Sequence, residues 1–140
     1  MRKLTSALVL GMLLVSLVAI PTLAKANNVD LTAAATTTGL SGGGAVIFNN
    51  SSGPNNLEVT VQLKGVTANF TYDVYLFVDG VWYGGAPVGT VTTNGQGNAT
   101  FHVNAHVTPG TRSLDVDVAL PVSGTDQYLT PWGSTSMQFK

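Results

Sequence analysis

Most of the chain alternates between apolar and polar residues with a period of two. In LEVTVQLK, residues 57–64, leucine and valine occupy every second position and polar residues lie between them. RSLDVDVAL (112–120) and NATFHVNAHV (98–107) follow the same pattern. Because successive side chains of a β-strand point to opposite faces, this alternation predicts strands with one buried face and one solvated face.

The segment TYDVYLFVDG, residues 71–80, is apolar on both faces, since Tyr75 and Phe77 lie opposite the set that contains Val74 and Leu76. This pattern predicts a central strand that is covered on both sides. Weaker patterns predict four further strands: GAVIFN (44–49), PVGTVTT (87–93), STSMQF (134–139) and a short return strand VWY (81–83).

Turn-forming segments separate these strands, among them KGVTAN, NGQGN, TPGT, PVSGTD and TPWG. The Asn-Gly and Asp-Gly pairs supply the positive φ angles that tight hairpins need. About seven short strands with regular turns predict one all-β domain over residues 42–140, an antiparallel two-sheet sandwich of the immunoglobulin-like kind. Residues 27–41 are either a leader or linker, or a first strand through Val29 and Leu31.

The first residues have the layout of a secretory signal peptide. Arg2 and Lys3 precede the apolar run Leu4–Ile20. Ala24 and Ala26 then form an A-x-A cleavage site, which predicts a signal peptide over residues 1–26 and a secreted, extracellular or cell-surface protein. The alternative is an uncleaved membrane anchor, because the apolar run has the minimum length that spans a bilayer.

Composition narrows the classes of function. The chain has no cysteine, which excludes a disulfide framework and thiol catalysis. After residue 26, three basic residues (Lys64, Arg112 and Lys140) stand against seven acidic ones. The absence of a basic cluster argues against nucleic acid and anionic membranes as partners. No nucleophile-elbow, zinc-protease or phosphate-loop motif is present, so we expect no enzymatic activity and no cofactor.

Two pairs of polar residues are candidates for metal or acid–base chemistry. His102 and His106 lie four residues apart, which is about 13 Å on a strand, too far to share one zinc ion. Asp115 and Asp117 lie two residues apart on one strand face, about 7 Å from each other. A calcium site would need further oxygen ligands, and a retaining glycosidase would place its two carboxyl groups about 5–5.5 Å apart. The alternation around both pairs predicts exposed, solvated faces without metal.

Four aromatic residues lie beside predicted turns: Trp82, Tyr83, Tyr128 and Trp132. Exposed rings of this kind could stack on sugars or on a partner protein. The alternative, which we favour, is that they close the ends of the sandwich core, as buried Trp and Tyr commonly do.

Four asparagines begin N-x-[ST] sequons: Asn49, Asn50, Asn69 and Asn98. Such sequons are acceptors for N-glycosylation in exported chains, and all four lie at or near predicted turns. The sequence therefore predicts a glycoprotein if the host attaches N-glycans.

Several stretches within Gly42–Leu120 carry a resemblance: GGGAVIFNNSSGPNNLEVTVQLKGV, YDVYLFVDG, GTVTTNGQGNATFHVN and PGTRSLDVDVAL. The chain here resembles small secreted microbial β-sandwich proteins, which are similar to immunoglobulin-like and CHRD-type domains. The resemblance implies a Gly-rich first strand, a Y-x-V-Y-L strand and a hairpin at G-x-V-T-T-N-x-x-G-N. CHRD domains usually have a histidine motif after the central strand, and YLFVDGVWYGG has none, so the resemblance implies a fold and no site residue.

These observations predict a non-catalytic extracellular or cell-surface domain with a structural or adhesive role. One alternative is a glycan-binding module that uses the surface aromatics, and the expected partners are cell-surface polysaccharide or protein. Another is a filament subunit, in which Asn27–Leu40 adds as a strand to the sheet edge of a second copy. A third is a hydrolase that depends on Asp115.

Overall fold

A computed structural model describes residues 26–33, 41–122, 125–131 and 135–140 of the 140-residue chain. The predicted signal peptide lies outside the described residues except for Ala26, where the first strand begins. Within the described part of the chain, no helix is long and apolar enough to cross a membrane.

The described residues form ten strands and one short 3-10 turn, Tyr83–Gly85. The strands are β1 (Ala26–Ala33), β2 (Gly43–Asn50), β3 (Leu57–Lys64), β4 (Thr71–Val78), β5 (Val81–Trp82), β6 (Gly89–Thr92), β7 (Ala99–Ala105), β8 (Gly110–Val122), β9 (Thr125–Pro131) and β10 (Thr135–Phe139).

Two antiparallel sheets of four and five strands form the sandwich, which confirms the predicted all-β fold. The first sheet has the order β1-β2-β3-β7. In the second sheet, β4 pairs with β8 along one edge and with β5 and β6 along the other, and β10 extends the sheet beyond β8. Strand β9 pairs with both β8 and β1, so it joins the two sheets along one side.

The core lies between the sheets and is built from the apolar sets that the alternation predicts. On β3 the side chains of Leu57, Val59, Val61 and Leu63 are all buried. They pack with these residues of the facing strands: Tyr72, Val74, Leu76, Leu114, Val116, Val118, Met137 and Phe139. Each fully buried side chain of this size contributes about 1.5–3 kcal/mol, so the inward faces hold the sandwich together.

Strand β9 and the length of β8 were not predicted, because residues 121–133 contain turn-type sequences and no alternating pattern. Residues 125–131 are nevertheless extended, because their backbone groups pair with β8 on one side and β1 on the other. Here pairing partners that are distant in sequence outweigh the weak local strand preference.

Two predicted turns that contain glycine, Asp79-Gly80 and NGQGN, connect their strands in different ways. Asp79 and Gly80 have φ angles of 53° and 75° and form the tight hairpin predicted between β4 and β5. The NGQGN segment is not the hairpin that the resemblance implied, because β6 pairs with β4 and β7 pairs with β3. It is an arch that carries the chain from one sheet to the other, and its left-handed residue is Gly97, with φ 74°.

Candidate functional site

Three aromatic rings cluster on the outer face of the second sheet. Tyr75 and Phe77 project outward from β4, opposite the buried set on the same strand, and Trp82 pairs with Phe77 across the hairpin. The Trp82 ring lies 5.4 Å from the Tyr75 ring and 6.2 Å from the Phe77 ring, measured between centroids. We call Tyr75, Phe77 and Trp82 the aromatic patch. Trp82 remains 52% exposed, and the other two side chains are half-buried.

The hairpin that carries Trp82 is held in place by the Asp79 carboxylate. One of its oxygens accepts the backbone N–H of Ser113 at 2.9 Å, and the other accepts Arg112 Nη1 at 3.0 Å. The Ser113 bond, followed by the Arg112 bond, lowers the pKa of Asp79. Because both bonds reach β8, the hairpin and its tryptophan are anchored to the neighbouring strand.

Two carboxylates lie beside the rings on the same face. In the antiparallel register of β4 and β8, Asp115 is opposite Phe77 and Asp117 is opposite Tyr75. We call Asp115 and Asp117 the acidic pair. The alternation predicted a solvated face here, but both side chains are half-buried, next to the aromatic residues directly opposite them on β4.

Burial changes the titration of the acidic pair. Burial, followed by the neighbouring Asp115 charge, raises the pKa of Asp117 to about 6. Burial also raises the pKa of Asp115, while a hydrogen bond from the backbone N–H of Val116 acts in the opposite direction. One oxygen of Asp115, Oδ1, is inaccessible to solvent and has no hydrogen-bond partner among the residues that the structure describes.

No basic side chain compensates the acidic pair within the described ranges. The ion pair found there joins Arg112 to Asp79, at the end of the β4–β5 hairpin. In addition, no cationic side chain is among the causes that shift the pKa of either carboxyl group. The aromatic patch therefore lies next to a concentration of negative charge that has no partner in the described structure.

Of the other three aromatic residues singled out in the sequence, Tyr83 is the one whose side chain lies in the described part of the structure. Tyr83 is half-buried against the core, and its hydroxyl accepts the backbone N–H of His106 at 3.0 Å. Tyr128 lies on β9 opposite Ala119, and its side chain is outside the described part of the structure. Trp132 lies outside the described residues altogether.

The alternation correctly assigned Tyr75 and Phe77 to the strand face opposite Val74 and Leu76, but it did not mark them as candidate site residues. The signal was the apolar character of both faces of residues 71–80. A covering layer was the expected explanation for that signal. In the structure the two rings are only half-buried, with Trp82 as their neighbour, so they belong to an outer surface rather than to a second core.

The two histidines have separate structural partners. His102 Nδ1 lies 2.9 Å from Thr60 Oγ1 on the adjacent strand. His106 Nδ1 lies 2.7 Å from the carbonyl oxygen of Pro54, to which it donates. Over the described residues, no group of three or more metal-ligating side chains comes together.

The four sequon asparagines differ in how their side chains are used. Asn50 Nδ2 donates to the carbonyl oxygen of Gln138 at 2.6 Å, and Asn98 Oδ1 accepts the backbone N–H of Gly65 at 3.1 Å. Asn49 is half-buried on β2. Asn69 is exposed, at the tip of a turn, with φ 52°.

Comparisons of the chain with protein-family models, curated proteins and solved structures gave no match. The resemblance to immunoglobulin-like and CHRD-type domains therefore stays a prediction.

Proposed function

We propose that this protein is a secreted, non-catalytic adhesion domain that binds extracellular or cell-surface polysaccharide on the aromatic patch. The observation that carries the proposal is the exposure of Trp82, which is 52% accessible on an anchored hairpin beside two further rings. Large apolar side chains exposed in a group mark interaction surfaces more often than single ones do.

The chemistry of the surface fits a sugar. A pyranose ring has apolar C–H faces that pack on a flat aromatic ring, and hydroxyl groups around its edge that need hydrogen-bond partners. The aromatic patch supplies the flat rings, and the acidic pair supplies carboxylate oxygens, which are strong acceptors for hydroxyl groups. Aromatic anchors with a few well-placed polar groups are the usual composition of ligand sites.

The geometry of the acidic pair favours binding over hydrolysis. Glycosidases place two carboxyl groups on either side of the scissile bond, one as acid and the other as base or nucleophile. Asp115 and Asp117 project from the same face of one strand, so both reach a ligand from the same side. Hydrolysis by this pair, the enzymatic alternative, would also need a cleft around the substrate.

Pull-down on a panel of insoluble polysaccharides, followed by calorimetry with soluble oligomers of those that bind, tests the proposal. Trp82→Ala should weaken binding at least ten-fold, because it removes the exposed ring. Val81→Ala is the matched control, since Val81 is 69% exposed on the same hairpin but lies opposite Val78, away from the patch. Unchanged binding by Trp82→Ala, or no binding by the wild-type protein to any polysaccharide, would overturn the proposal.

A further inference from the structure

We infer that the ligand of the aromatic patch is an amine-bearing polysaccharide, built from unacetylated 2-amino sugars, whose ammonium groups are bound by Asp115 and Asp117. This inference rests on the proposed function and names the class of sugar that the surface selects. It depends on the rings and the carboxylates lying side by side, because neither feature alone would select this class of sugar.

The strand register brings the two features within reach of one sugar unit. Asp117 is directly opposite Tyr75, and Asp115 is directly opposite Phe77, on neighbouring antiparallel strands. Directly opposed residues have Cβ atoms about 4.5–5.5 Å apart, which is roughly the width of a pyranose ring. A sugar stacked on the rings can therefore place a substituent against either carboxylate without leaving the aromatic surface.

Charge complementarity selects a cation among the substituents that sugars carry. The acidic pair has no basic partner in the described structure, because Arg112 is engaged by Asp79. An ammonium group supplies the missing countercharge and forms charge-assisted hydrogen bonds, which are about twice as strong as neutral ones. The same carboxylates repel the carboxylate or sulfate groups of acidic polysaccharides.

The aromatic rings favour the same charge. The face of an aromatic ring carries partial negative charge and attracts a cation within about 6 Å of its centroid. Tyr75 and Trp82 have centroids 5.4 Å apart, so an ammonium group near both rings would be attracted by each of them. Rings and carboxylates thus both attract a positively charged ligand, whereas a neutral sugar gains ring stacking and hydroxyl hydrogen bonds without this attraction.

The unsatisfied oxygen of the acidic pair gives a further reason. Asp115 Oδ1 is shielded from solvent and has no partner among the described residues. A buried acceptor without a partner is unfavourable. An ammonium group held against the acidic pair offsets this through its charge, although the solvent-shielded Oδ1 itself lies out of its reach.

The test compares two hexasaccharides that differ only in acetylation, β-1,4-linked glucosamine and β-1,4-linked N-acetylglucosamine, by calorimetry at pH 6.5. The wild-type protein should bind the glucosamine hexamer at least ten-fold more tightly, and 0.5 M salt should remove most of the difference. In the double variant Asp115→Asn and Asp117→Asn, both hexamers should bind alike. Trp82→Ala should lose both.

The outcomes separate the two proposals. Equal binding of the two hexamers by the wild-type protein, or a preference that survives in the double variant, overturns the inference and leaves polysaccharide binding standing. Failure of every sugar to bind overturns both. Hexalysine serves as a second cation, and if it binds as tightly as the glucosamine hexamer, the partner is a basic peptide and the assignment to a sugar is wrong. Because asparagine is isosteric with aspartate, an unchanged or higher melting temperature shows that the double variant is folded.

Discussion

The ionisation of Asp117 depends on the fold more clearly than that of any other group for which a shifted pKa is described. Its pKa rises from 3.8 to about 6, first through burial and then through the Asp115 charge. The folded state therefore disfavours the ionised form, and it does so most above pH 6, where the group is charged in both states. As pH falls from 6 towards 4, the group takes up a proton in the folded state first, and the unfavourable contribution disappears.

Asp117→Asn should therefore stabilise the protein at pH 7.5 and have little effect at pH 4. The expected gain is on the order of 1 kcal/mol, after allowance for the solvent screening of a half-exposed group. Urea unfolding of both proteins at pH 4, 5, 6 and 7.5 measures it. Asp79→Asn is the control of opposite sign, because the pKa of Asp79 is lowered, so its contribution is present at neutral pH and lost in acid. A destabilised Asp117→Asn at pH 7.5 would contradict the burial argument.

Among the sequons, Asn69 should be the acceptor that carries a glycan when the protein is made in a secretory host that attaches N-glycans. Its side chain is exposed on a turn, whereas Asn50 and Asn98 use their amide groups in hydrogen bonds to Gln138 and Gly65. Peptide mass spectrometry measures the occupancy of each site. Asn69→Asp, which tolerates the left-handed conformation, should remove the glycan without loss of stability. A glycan found on Asn98 and absent from Asn69 would show that local hydrogen bonding does not decide acceptor use.

The arch between β6 and β7 carries the chain from the second sheet to the first. The backbone of Gly97 lies against that of Val66, whose N–H donates to the Gly97 carbonyl at 3.1 Å. A Cβ on Gly97 would collide with the Val66 carbonyl. Asn94 supports the same turn, because its side-chain oxygen accepts the backbone N–H groups of Gln96 and Asn98.

Gly97→Ala should destabilise the fold far more than Gly65→Ala. Both glycines have positive φ, 74° and 62°, so both substitutions carry the left-handed cost of about 1–2 kcal/mol. Gly65 has open space around it, whereas Gly97 has the Val66 backbone against it. We expect Gly97→Ala to lose at least about 2 kcal/mol more, as measured by denaturant unfolding. Equal losses would mean that the arch moves freely to accept a side chain.

The pairing of β1 bears on whether this segment can add as a strand to the sheet of a second copy. Strand β1 pairs with β2 over Ala26–Thr32 and with β9 over Leu31–Ala33, and Leu31 is buried in the core. The strand-addition alternative requires this segment to leave its own sheet. The described pairing instead favours a strand that completes its own domain.

Deletion of Asn27–Leu40 should therefore unfold the protein or lower its melting temperature by more than 10 °C, because it removes an internal strand together with Leu31. The intact protein should be monomeric at high concentration. Circular dichroism and light scattering measure the two expectations. Fibres formed by the intact chain and absent from a folded, truncated one would instead support the filament.

The local pattern along the chain was sufficient to identify the inward faces of β3, β7 and β8 and the Asp79-Gly80 hairpin. Alternation and turn preference act over a few residues, so they can be read without knowledge of the neighbours. The all-β class followed from the same information. The exposure of alternate residues on β7, from Thr100 to Asn104, agrees with that prediction position by position.

Contacts between residues distant in sequence determine the features of the structure that the local pattern does not predict. Strand β9 and the inter-sheet arch exist because of partners that lie on other strands. The register of β4 against β8 sets Asp117 beside Tyr75 and half-buries a carboxylate that the alternation predicted as solvated. The β4–β5 hairpin sets Trp82, one of four aromatic candidates, beside Tyr75 and Phe77, and the β4–β8 register brings the two carboxylates next to these rings. No local pattern contains that register, because it is set by which strands pair and how their inward faces fill one core.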